Sequence, residues 1–182
     1  GKLSRGLGDV YKRQALAVDL TNVTALAGSS LADLGTLATA INASQFSNAS
    51  GLTTIAVTDT TIDATTLATR ITSYDAIGGT TDMTLASGAT INVDAGEITA
   101  MLADESAGRL TIGDQKITVN SAATISVDTA NLLDATTTGV VTASITTSET
   151  VDELNTLTGT TGAYTIVIDA ADATSTTAAE FN

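Results

Sequence analysis

The chain has no cysteine, no proline, no histidine and no tryptophan. Without cysteine there is neither a disulfide framework nor a thiolate metal site. Without histidine, the commonest general base and the commonest transition-metal ligand are both missing. Aromatic residues make up only 3% of the chain, which leaves no platform for stacking a neutral sugar. Basic residues are scarce as well: seven Lys and Arg stand against twenty Asp and Glu, a net charge of -13. Such a surface repels phosphate backbones, so nucleic-acid binding is not expected. It attracts divalent cations and keeps the chain soluble at high salt. No apolar run is long enough to cross a bilayer, so membrane insertion is not expected either.

What remains is a narrow alphabet. Thr alone supplies about a fifth of the residues, far above average usage. Ala, Val, Ile and Leu supply nearly all of the apolar fraction. One stretch departs from this, "SRGLGDVYKRQ" at residues 4–14, which holds three of the seven basic residues and Tyr11. Residues 1–14 carry Lys2, Arg5, Lys12 and Arg13 against Asp9, a net of +3, so residues 15–182 carry -16. The stretch resembles a translated sequencing-adapter read-through, which implies a scar rather than native sequence. Residues 1–14 are therefore expected to be disordered, and the chain to begin inside a gene fragment from environmental DNA.

A small pattern recurs along the rest: two β-branched residues flanking one position, then Asp. It reads "IAVTD" to Asp59, "INVD" to Asp94, "ISVD" to Asp128 and "IVID" to Asp169. The steps between these aspartates are 35, 34 and 41 residues, a loose repeat. Further strand-like runs fall between them: "DMTLA", "RLTI", "KITV" and "VVTASI". Short amphipathic stripes also occur. Ile98, Met101 and Leu102 share one face, as do Val151, Leu154 and Leu157, and Ala64, Leu67, Ala68 and Ile71. Asp94 with Glu97, and Thr150 with Glu153, have capping-box spacing. Leu31, Leu34, Leu37 and Ala38 predict an earlier helix.

A unit of this size cannot bury its apolar face alone, whereas stacked units can. The expected fold is a repeat protein of β-rich α/β class, a parallel β-solenoid with short capping helices and leucine-rich-repeat-like coils. Tandem antiparallel β-sandwiches are the alternative. The expected organisation is residues 1–14 as the scar, 15–52 as a helix-rich lead-in, and 53–182 as strand–helix repeats truncated at the C-terminus.

The candidate site residues are the strand-end aspartates Asp59, Asp94, Asp128 and Asp169. Calcium needs several oxygens converging on one point, and these four could supply a column of them. Helix capping is the competing role for the same residues. The glycine-rich nonapeptide of calcium-binding β-rolls and the EF-hand loop are both absent, so no metal is assigned. Asp152 and Glu153 are adjacent on a helical stripe and point to different sides, which suits solvation better than acid–base work. No catalytic residue and no cofactor are expected.

The stretch from Thr136 to Thr174, with "GVVTASI", "LNTLTG" and "AYTIVID", resembles the Thr/Ala/Asp-rich repeats of giant bacterial cell-surface proteins of marine cyanobacterial type. The resemblance implies an extracellular or cell-surface location and a structural role as spacer, coat or adhesin stalk. The implied partners are neighbouring repeats of the same chain and surface glycans or other cells. A calcium-dependent β-sandwich adhesin module is the alternative function, and a polysaccharide-acting β-solenoid enzyme is the third.

Overall fold

The computed structural model describes residues 18–47, 49–78 and 81–168. The adapter-like stretch and Asp169 lie outside these residues. The described chain opens with β1 (Val18–Asp19), β2 (Ala25–Ser29), α1 (Leu31–Asn42) and β3 (Phe46–Ser47). Next come β4 (Thr54–Val57), β5 (Thr61–Asp63), α2 (Ala64–Gly78), β6 (Asp82–Leu85), β7 (Thr90–Val93) and α3 (Ile98–Ser106). It continues through β8 (Leu110–Thr111), β9 (Lys116–Val119), β10 (Thr124–Ile125), α4 (Val127–Thr136), β11 (Val141–Ile145), α5 (Val151–Leu154) and β12 (Ala163–Thr165).

The strands sort into two main parallel sheets. One has the order β2-β4-β6-β8; the other runs β5-β7-β9-β11, with β10 and β12 also paired to β11. A separate parallel pair joins β1 to β3. The expected β-solenoid of leucine-rich-repeat-like coils is corrected by this arrangement, and so is the antiparallel sandwich. The described residues form a mixed α/β fold, with two main parallel sheets and five α-helices set between strands. Antiparallel pairing fails because an α-helix of 4 to 15 residues lies between the two members of every strand pair among the described residues, and such crossovers place strands parallel. A uniform coil fails because the units are not uniform. Along the second sheet, Ile62, Ile91, Ile117 and Val141 stand in register, so the step shrinks from 29 to 26 to 24 residues. The helices vary too, with 15 residues in α2, 9 in α3, 10 in α4 and 4 in α5.

Alternation along each strand places the core. Ile62, Ile91, Ile117 and Val141 are fully buried and form one inward column. Ile55, Met83 and Leu110 form the matching column of the first sheet. Leu34, Leu67, Ile71, Met101 and Leu133 bring the apolar stripes of the helices onto the same continuous cluster. Burial of this kind stabilises by about 25 cal/mol per Å² of apolar surface. Met83 fills its place without the branched rigidity of neighbouring Ile55.

Threonine ties one unit to the one before it. Thr53 Oγ1 donates to the Thr24 carbonyl and Thr81 Oγ1 to the Leu52 carbonyl, each at 3.1 Å and each 29 residues back. Thr137 Oγ1 donates to the Gln115 carbonyl at 2.5 Å. Thr81 and Thr137 are buried, so these bonds satisfy polar groups that water cannot reach. Gly139 lies against the same corner. A Cβ there would stand 2.4 Å from the Gln115 carbonyl oxygen, so only glycine permits the approach.

Candidate functional site

The three strand-end aspartates among the described residues go to three different helix starts. Asp59 Oδ2 accepts from the Leu31 N–H at 2.7 Å and so closes the open end of α1 in the preceding unit. Asp94 precedes the 3-10 turn Ala95–Glu97 that leads into α3. Its N–H donates to Glu97 Oε2 at 3.1 Å, and its Oδ1 accepts from Asn120 Nδ2 at 2.9 Å. Asp128 lies in the first turn of α4, where Ser126 is the cap and accepts from the Thr129 N–H at 3.2 Å. Among the described residues, no group of three or more Asp, Glu, His or Cys side chains is placed to hold a metal ion. No helix among them is long and apolar enough to cross a membrane.

Glu149 repeats the part played by Asp59. Its Oε1 accepts from the Val127 N–H at 3.2 Å, 22 residues back, and closes the start of α4. The first-turn N–H groups of a helix lack partners within it, and a carboxylate also suits the positive end of the helix dipole. Asp114 bridges units too, accepting from the Ser87 hydroxyl at 2.5 Å and the Gly88 N–H at 3.1 Å. These bonds hold the Asp114 carboxyl below the usual carboxylate range. The buried Tyr74 hydroxyl donates to the Leu34 carbonyl at 3.0 Å. Burial pushes this phenol up to about 12, with Arg70 opposing.

Besides a depression of about 310 Å³ lined by Asp134, Thr137, Thr158 and Thr161, two others stand out. The first is an apolar cleft of about 490 Å³ between α2 and α3, floored by Ala64, Leu67, Ala68, Ile71 and Met101. Beside it Arg109 pairs with Asp104 at 2.5 Å and with Asp75 at 3.4 Å. Within this charge group Asp75 Oδ1 and Arg109 Nε are buried without a hydrogen-bond partner, and Asp104 lines the cleft with Glu97 and threonines of α2.

The second is a polar trough of about 390 Å³ at the C-terminal ends of β5, β7 and β9. Asp63, Asn92 and Thr118 stand in one register row across those three strands. They face outward because Ile62, Ile91 and Ile117, one residue earlier on each strand, face the core. Thr142 on β11 continues the row. The Asp94–Glu97 turn and Asn120 form the wall. That wall is braced by the Asp94–Asn120 bond and by Thr65 Oγ1, which donates to Glu97 Oε1. Asp63 Oδ1 accepts from both the N–H and the hydroxyl of Thr66 at 2.8 Å, which lowers its pKa and leaves Oδ2 open.

Of the trough residues, Asp94 was a candidate from the sequence, while Asp63, Asn92 and Thr118 were not. The signal that marks them is the triplet polar–Ile–polar in "TID", "TIN" and "KIT", spaced by 29 and 26 residues. Measured against family models, curated proteins and solved structures, the chain matches none of them.

Proposed function

We propose that this chain is a structural segment of a large secreted or cell-surface protein, acting as spacer, coat or adhesin stalk. One observation carries the reading: side-chain hydrogen bonds are spent joining each unit to the next. Asp59 to Leu31, Thr81 to Leu52, Asp114 to Ser87, Glu149 to Val127 and Tyr164 to Asp134 are all of this kind. Polar groups used this way hold geometry and are not poised for proton transfer. The acidic exterior supports the same reading, since it keeps an extended protein soluble and discourages clumping.

The test is location. An antibody against residues 18–168 is applied to intact cells of a bacterium that carries the gene. Surface labelling, or antigen in the medium, is the expected result. Labelling that appears only after permeabilisation overturns the proposal.

A further inference from the structure

We infer that the row Asp63–Asn92–Thr118, continued by Thr142, is a contact strip for one strand of a neutral, linear polysaccharide. The inference rests on the adhesive part of the proposed function and gives that part a ligand class. Adjacent strands lie about 4.8 Å apart, so the row presents one hydrogen-bonding side chain at each such step. Four residues therefore span about 14 Å. A linear chain of β-linked pyranoses advances by a similar step per sugar, so successive sugars meet successive side chains.

The chemistry of the row suits hydroxyl groups. No side-chain hydrogen bond within the described residues ties up Asn92, Thr118 or Thr142. Asn92 offers two donors and an acceptor, each threonine offers one of each kind, and Asp63 Oδ2 is an open acceptor. The threonines are β-branched and held on a sheet, so little rotamer freedom is lost on contact. The braced wall at Asp94, Glu97 and Asn120 limits a bound chain to one side. The ligand is neutral because a net charge of -13 opposes an acidic polymer. Without aromatic stacking each contact is weak, and affinity comes from several sugars engaged at once.

The test titrates the whole isotope-labelled chain with the β-1,4-linked hexamers cellohexaose, xylohexaose, mannohexaose and N-acetylchitohexaose, read by amide chemical shifts. At least one of them is expected to move the amides of Asp63, Asn92 and Thr118. Asn92→Ala should weaken that binding roughly tenfold, the loss of one to two hydrogen bonds. Thr118→Val keeps the shape and should also weaken it, while Thr36→Ala on the exposed face of α1 should not. Circular dichroism confirms that each variant is folded. The proposal is overturned if none of the four sugars moves these amides at millimolar concentration. It is also overturned if the shifts map elsewhere, or if folded Asn92→Ala and Thr118→Val bind as the parent does. Any of those results leaves the spacer role standing, since surface labelling decides that separately.

Discussion

Asp59 Oδ2 and the Leu31 N–H meet at 2.7 Å although 28 residues separate them. A helix start in one unit is thus completed by the unit that follows. Asp59→Ala should cost about 1 kcal/mol, the usual value of a lost cap, and Asp59→Asn much less, because Asn also accepts. Urea denaturation measures both. Hydrogen exchange should show the Leu31 amide losing protection in the alanine variant, and equal protection in both would remove the cap from the account.

Glycine at position 139 should be hard to replace. Gly139→Ala sets a methyl group against the Gln115 backbone, and overpacking of this kind costs about 1–3 kcal/mol. Gly96→Ala is the matched control, because a Cβ there meets nothing within 4 Å. It should change stability by less than about 0.5 kcal/mol. Thermal melts of the two variants side by side check the contrast.

Acid should loosen the fold through its hydrogen-bonded carboxylates. The Thr66 N–H lowers Asp63, the Ser87 hydroxyl lowers Asp114, and the Thr150 N–H lowers Glu153. A carboxylate with a lowered pKa adds stability that is complete above its unfolded value and is lost as the pH falls through the folded one. The ordinary values are 3.8 for Asp and 4.5 for Glu, so stability should hold down to about pH 5 and decline below 4.5. The alkaline limb has the opposite sign. Tyr74 and Tyr164 are raised from 10.0, chiefly by burial, so their contribution is complete below that value and fades as the pH climbs through the folded ones. Unfolding midpoints across the pH range test both limbs.

Calcium should leave the melting temperature where it is. Asp59, Asp94 and Asp128 serve three separate helix starts rather than one point in space. Asp94→Asn and Asp128→Asn should both be mild. A saturable rise in stability with calcium, abolished by those two substitutions, would reverse the assignment.

Much of the local structure was legible before any coordinates. The Leu31–Leu34–Ala38 stripe became α1, and the Thr150–Glu153 box sits at the start of α5 as its spacing implied. "DMTLA", "KITV" and "VVTASI" contain β6, β9 and β11. The larger plan was hidden by one misplaced pattern. Reading to the Asp of "ISVD" treats Val127 and Asp128 as strand, whereas Ser126 caps a helix that begins at Val127. The resulting spacing of 34–41 residues masked true register steps of 20–29. β5 was absorbed into the stripe of α2 because Asp63 ends the strand and caps the helix at once. With β5 unseen, a second sheet could not be inferred, and neither could the outward row that begins at Asp63.

The shrinking step has a mechanical consequence. Units add along the hydrogen-bonding direction of the sheets, so tension along that axis peels one junction at a time instead of shearing many together. The junctions are not equals. In the first sheet β4 meets β6 over four register pairs and β6 meets β8 over two. In the second, β7 meets β9 over four pairs and β9 meets β11 over two. A pull should therefore open the two-pair junctions before the four-pair ones, lengthening the protein in graded yields. Extension would then dissipate a sudden load in steps rather than in one rupture.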